Sequence, residues 1–175
     1  MKTAPLKLVA SMASLLATIV TPVAVAGAVL VAPMAAHAAK PAKQGVCKVH
    51  AVLASKEGDG TIPKNLQFMK EWLTDEPYDR YKSFHLLGEK KVEVALEKPA
   101  KAKFKTGHKM KLSLLGGDEK KLKLHLDLTY RDGEKSLVAM DYSIEDNGLF
   151  FVQGGEHKSG EVTGRIFWAI QCARS

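Results

Sequence analysis

Between residues 109 and 128 apolar and polar side chains alternate on both sides of a glycine pair. Met110, Leu112 and Leu114 alternate with Lys109, Lys111 and Ser113; Leu122, Leu124, Leu126 and Leu128 alternate with Lys121, Lys123, His125 and Asp127. Successive side chains of a strand point to opposite faces, so this pattern calls for two strands, each with one buried and one solvated face. A slip of one residue would bury lysines, which specifies the register strongly. Joining the two across Gly116-Gly117-Asp118 predicts an antiparallel pair in which Leu114 faces Leu122 and Lys109 faces Asp127.

The same alternation recurs on either side. Residues 47–55 place Cys47, Val49, Ala51 and Leu53 on one face, with Lys48, His50 and Val52 on the other. Residues 81–87 and 92–96 are expected to form a hairpin across Gly88-Glu89-Lys90, and 102–105 a weak strand. Arg131-Asp132-Gly133 suits a three-residue hairpin turn with glycine in the left-handed position. That turn pairs Leu126 with Val138, Leu124 with Met140 and Leu122 with Tyr142. Asp146-Asn147-Gly148 repeats the device and sets Ile144 opposite Phe150 and Tyr142 opposite Val152. The last strand, 162–172, carries Ile166, Trp168, Ile170 and Cys172 on one face. A single helix is predicted over 63–74: Pro63 suits a first turn, Ile62, Leu66, Met69 and Leu73 recur at helical spacing, and Pro77 bars continuation.

Cys47 and Cys172 are the two cysteines of the chain. Their number and spacing exclude a C-x-x-C redox pair and a zinc knuckle. If the first and last strands pair antiparallel with Cys47 opposite Cys172, then Val49 meets Ile170, Ala51 meets Trp168 and Leu53 meets Ile166. A disulfide and a sheet register then agree. The expected fold is mainly β, an antiparallel sandwich or open barrel of about 7–9 strands with one short covering helix, closed by a terminal disulfide.

Disulfides belong to oxidising compartments, and the N-terminal region points the same way. Lys2 and Lys7 precede a stretch, 8–36, without a charged residue, and Ala36-His37-Ala38 offers small residues at both positions that a signal peptidase reads. Residues 1–38 are therefore expected to be a cleaved signal peptide, 39–46 a polar tether and 47–175 one domain, periplasmic or extracellular. Pro22, Pro33 and the many alanines argue against an uncleaved span, and no second apolar run is long enough for a transmembrane segment.

The chemistry of enzymes is poorly represented. No two histidines lie closer than 13 residues and no H-x-x-H or H-E-x-x-H pattern occurs, so no metal is expected. No serine sits in G-x-S-x-G. The acidic pairs Asp75-Glu76 and Glu145-Asp146 fall in turn-like segments. Gly116-Gly117 and Gly154-Gly155 lack the lysine and following helix of a phosphate loop. No catalytic residue and no cofactor are expected.

What the composition does concentrate is charge. Residues 39–175 carry 24 basic against 19 acidic groups, a net +5. Within 90–123 there are 11 lysines against four acidic residues, a net +7. Lys101, Lys103, Lys105, Lys109, Lys111, Lys121 and Lys123 fall at alternate strand positions and predict a positive sheet face for an anionic partner: an envelope polymer, lipid headgroups or an acidic protein. The segment has no arginine and one aromatic residue, Phe104, which argues against nucleic acid. Leu149, Phe151 and Phe167 are expected on outward strand faces, under the helix or a second sheet. The reading is an exported, non-catalytic binding or structural protein of a bacterial-type envelope or secretome. The alternative is a small-ligand carrier or hydrolase with Tyr130, Tyr142, Trp168 and a histidine around a site inside the sandwich.

Overall fold

The computed structural model describes residues 42–130 and 135–175. The signal-peptide expectation and the turn Arg131-Asp132-Gly133 lie outside the described residues. Strands β1 (Gln44–Ser55), β2 (Ser83–Ala95), β3 (Ala100–Lys103), β4 (His108–Gly117), β5 (Lys121–Tyr130), β6 (Lys135–Glu145), β7 (Leu149–Ser159) and β8 (Val162–Arg174) form two four-stranded sheets. One has the order β2-β1-β8-β7, the other β3-β4-β5-β6, and every neighbouring pair is antiparallel. The architecture is a β-sandwich.

Its inner faces meet in one core. Cys47, Val49, Ala51, Val94, Val152, Ile166, Trp168, Ile170 and Cys172 of the first sheet pack against Ala102, Met110, Leu112, Leu114, Leu122, Leu124, Leu126, Leu128 and Ile144 of the second. A second cluster covers the back of the first sheet: Val52, Ala54, Phe84, Phe167 and Ala169 lie under Leu66, Met69, Leu73 and Tyr81, with Leu149 and Phe151 at its margin. Strand β1 is thus buried on both faces from His50 to Ser55.

Closure follows the cysteines. Cys47 is opposite Cys172 and disulfide-bonded to it, with Val49 opposite Ile170, Ala51 opposite Trp168 and Leu53 opposite Ile166. Each expected pair is present. The covering helix is shorter than its periodicity suggested: a 3-10 turn, Lys64–Met69, runs into α1, Lys70–Thr74. No side chain caps the first turn, but Leu66, Met69 and Leu73 all point inward.

Four registers differ from expectation. Residues 83–95 are one strand, not a hairpin, because β1 supplies a continuous partner through the polar stretch: Gly88 pairs with Ala51, Glu89 with His50 and Lys90 with Val49. Leu114 pairs with Leu124 rather than Leu122, and Lys111, not Lys109, faces Asp127. Here β4 continues through Gly116 and Gly117, at φ 136° and 151°, with a bulge, and the chain reverses over 118–120. The Asp118 carboxylate accepts backbone N–H bonds from Lys120 and Lys121 there, both 2.8 Å. Likewise Leu128 pairs with Val138, Leu126 with Met140, Leu124 with Tyr142 and Leu122 with Ile144, a two-residue shift with a bulge beside Leu128. Shifts of two keep each side chain on its face.

The fourth difference decides sandwich over barrel. β6 and β7 are not a hairpin but belong to different sheets. Asp146 N–H donates to Lys120 O at 2.9 Å, Asn147 N–H to Cys172 O at 2.9 Å, and the Asp146 carboxylate accepts from Arg174 N–H at 2.8 Å. The link is bonded to both sheets, so the chain crosses between them. Tyr142 and Phe150 stack across the gap, their centroids 4.4 Å apart.

Two outcomes follow. Replacing Cys47 and Cys172 together by alanine opens a loop spanning 125 residues and should remove about 5 kcal/mol in the chain-entropy model, measured as a lower urea midpoint. A Cβ at Gly154 would lie 2.7 Å from the Trp168 ring and 2.9 Å from Ile166, whereas one at Gly155 meets nothing within 4 Å. Gly154→Ala should cost about 1–3 kcal/mol by overpacking, and Gly155→Ala should stay within about 0.5 kcal/mol.

Candidate anionic-partner face and its surroundings

The helix covers the back of the first sheet, while the outer face of β3-β4-β5-β6 carries the lysines. On that face Lys101 is directly opposite Lys111, and Lys103 directly opposite Lys109. Their inward neighbours, Ala102 and Met110, are buried as an opposed pair. Lys101, Lys103 and Lys111 are exposed and Lys109 half-buried. Like charges directly across a strand pair repel, at roughly 0.2–1 kcal/mol per pair. Two such pairs side by side make a tetrad of ammonium groups around a shallow depression of about 100 Å3 that also touches Asp127 and Thr129. Asp127 compensates one corner, opposite Lys111. Lys109 is opposite Thr129 instead of the expected Asp127, so its partner across the other side is neutral.

The remaining lysines do not join this tetrad. Lys105 lies in the turn after β3. Lys121 is 3.9 Å from Glu145, and Lys123 faces Ser143 and Gly116. Lys123 is four residues along β5 from Asp127, roughly 14 Å at strand spacing, beyond the screening length of about 8 Å in physiological salt. Acidic groups gather on the other half of the same face: Asp141, bonded to His125, and Glu145. The seven-lysine face therefore resolves into a tetrad on β3–β4 and a mixed-charge half on β5–β6.

The histidines divide in the same way. His50 is buried beneath the Phe68 ring, 4.7 Å between centroids, with Nε2 3.7 Å from Glu89. Burial holds its pKa below the ordinary histidine range, against a smaller opposing pull from Glu89. His108 and His157, distant in sequence, approach to 6.1 Å. His108 also packs against Tyr130 at 4.6 Å and Trp168 at 4.7 Å, and its Nδ1 bonds the Thr106 hydroxyl at 2.9 Å. Trp168 is fully buried and Tyr142 lies against Phe150. Neither the Trp168 Nε1–H nor the Tyr142 hydroxyl has a hydrogen-bond partner among the described residues. Among the described residues no three His, Cys, Asp or Glu side chains come together in a metal-holding group.

Sequence reasoning placed seven lysines on one sheet face, of which the structure brings four together, and it did not give the opposed pairs, since these depend on the β3–β4 register. It missed altogether a larger cleft, about 390 Å3, lined by residues including Lys56, Glu57, Arg80, Glu156 and Arg165. No local sequence signal joins those positions.

No family model matches the sequence, and no curated protein matches it. The chain has a partial likeness to the T2SS secretin XcpQ from Pseudomonas aeruginosa, solved by cryo-EM. The identity is 8% and the TM-score 0.28, over 75% of this chain and 56% of that one. The match thus spans little more than half of the secretin chain, and at that TM-score it carries no argument about fold or function.

His108 gives the domain a pH dependence of definite sign. Burial, with a smaller push from His157, lowers its pKa to about 4, against about 6.5 in an unfolded chain. Between these values the unfolded chain binds a proton that the folded one does not. The associated stability is full above about pH 6.5 and declines as pH falls toward 4. Urea midpoints should fall across that window in the wild type, and less steeply in His108→Gln; an unchanged slope in the variant would assign the loss to other groups.

Proposed function

We propose that this is an exported, non-catalytic binding domain of a cell envelope or secretome, and that the β3–β4 lysine tetrad is where it meets a polyanionic partner. The observation that carries this is the double opposition of Lys101 with Lys111 and Lys103 with Lys109. Self-repulsion is retained on a face whose acidic residues lie largely two strands away. A polyanion removes the repulsion and gains four contacts at once. Export is supported by the disulfide and by the lysine-led apolar stretch closing on Ala36-His37-Ala38. Among the described residues no helix is long and apolar enough to cross a membrane, and the proposal needs none, since envelope polymers, lipid headgroups and acidic proteins are all reached from an aqueous compartment.

Exposed ion contacts of this kind contribute about 0.3–0.5 kcal/mol each, so four together correspond to about tenfold in affinity. Replacing Lys101, Lys103, Lys109 and Lys111 together by glutamine should weaken binding to phosphatidylglycerol vesicles or polyglutamate by about that factor. The same variant should be as stable as the wild type or up to about 1 kcal/mol more stable. Glutamine at Lys121 and Lys123 should leave binding nearly intact, and added salt should weaken wild-type binding steeply. Retention that ignores salt, or a quadruple variant that binds fully, would overturn the reading.

A further inference from the structure

The larger cleft lies where the end of β1, the segment entering β2 and the β7–β8 hairpin meet. Its volume, about 390 Å3, is in the range of small-molecule sites. Two of the chain's four arginines, Arg80 and Arg165, line it together with Lys56; Glu57 and Glu156 share the wall, with Tyr81 and Gly164 among the other lining residues.

Several local features set this lining in place. The β7 bulge between Gln153 and Glu156 brings Glu156 opposite Arg165, and bulges commonly re-aim side chains at sites. Gly164 lets β8 pass close to β1, since a Cβ there would lie 2.2 Å from Ala54 O. Arg80 rests its guanidinium over the Tyr81 ring, 5.3 Å from the centroid. Lys56 and Glu57 are held by the turn: Ser83 Oγ donates to Glu57 O at 2.7 Å, and Lys82 N–H to Ser55 O at 2.8 Å. Among the described residues the ion pairs are His50–Glu89, Lys121–Glu145 and His125–Asp141, so neither guanidinium is paired with either carboxylate of the cleft. Charges of both signs therefore line one concave site with no direct guanidinium–carboxylate contact among the described residues.

We propose that this cleft binds a small zwitterion, its carboxylate held by Arg80 and Arg165 and its ammonium by Glu57 or Glu156. Guanidinium forks suit a carboxylate bidentately, and the two glutamates offer acceptors for an ammonium group that a purely anionic ligand would leave unused. The site is separate from the lysine tetrad and does not depend on it.

The test is a titration of the purified disulfide-closed protein, following the Nε–Hε signals of Arg80 and Arg165 by NMR. The probes are alanyl-alanine, its N-acetyl form, which lacks the ammonium, and its amide, which lacks the carboxylate. Alanyl-alanine should shift both arginine signals saturably and bind at least about fivefold more tightly than either blocked form. Arg165→Gln should lower its affinity to that of the amide, and Glu156→Gln toward that of the N-acetyl form, each with an otherwise native spectrum. Arg80→Gln provides a second cation variant should Arg165→Gln fail to fold. The lysine-tetrad variant should bind alanyl-alanine like the wild type. Shifts that do not saturate, or an N-acetyl form that binds as well as the free dipeptide, would overturn the proposal.

Discussion

The pairing of β1 with β8 is the contact on which the rest of the sandwich depends. It joins the two ends of the domain, and the Cys47–Cys172 bond locks that register covalently. Both strands are buried on their inner and outer sides along most of the shared length. The inner side, with Val49, Ala51, Trp168 and Ile170, is half of the main core; the outer side, with Val52, Phe167 and Ala169, receives the helix. β2 and β7 then add to the free edges of this pair. In the unfolded chain such a contact between distant segments is entropically expensive to form, and the disulfide lowers that cost by constraining the unfolded ensemble.

This also explains which parts of the fold could be read from the sequence. The β1–β8 register was legible because two independent constraints, a cysteine pair and an apolar alternation, agreed on it. The inward residues of the helix were legible because Leu66, Met69 and Leu73 keep a helical spacing even where the backbone is a 3-10 turn. Hairpin registers were legible only to within two residues. Bulges beside Leu114 and Leu128 each displace the pairing without changing which side chains face inward, so the apolar pattern is blind to them. The crossing at Asp146–Gly148 was hidden for another reason. Asp-Asn-Gly is a sound hairpin turn locally, and only its bonds to Lys120 and Cys172, both remote in sequence, turn it into a corner.

The same distinction applies to the sites. Alternation alone puts the lysines on one face, but the repulsive pairs exist only once β3 is aligned with β4. Edge protection accounts for part of this arrangement, since a lysine-bearing edge strand discourages pairing with another sheet. It does not account for Lys109 and Lys111, because at those positions β4 is flanked by β3 on one side and β5 on the other. Two lysines on an internal strand, each facing another lysine on the edge strand, are more positive charge than an edge requires. The arginine cleft was beyond sequence reasoning altogether: its charged groups come from three separate stretches of chain and none of them has a recognisable spacing.

The two sheets differ in what lies outside them, and this difference connects pattern to function. The first sheet is covered by the helix, so β1 reads as a continuous apolar run from Ala51 to Ala54, its outward Val52 and Ala54 lying beside Phe167 and Ala169 of β8 beneath the helix. The second sheet has a solvated outer face on β4 and β5, and those strands show the strict alternation that exposes lysine, histidine and aspartate. A strand buried on both sides leaves no room for a charged surface, whereas a strand buried on one side must present a polar one. The placement of the helix against β1 and β8 is therefore what leaves the β3–β4 tetrad open. If the helix were packed on the other sheet, its apolar face would have to cover four lysines, and burying unpaired ammonium groups is far more costly than leaving Leu66, Met69 and Leu73 to find the apolar back of the first sheet.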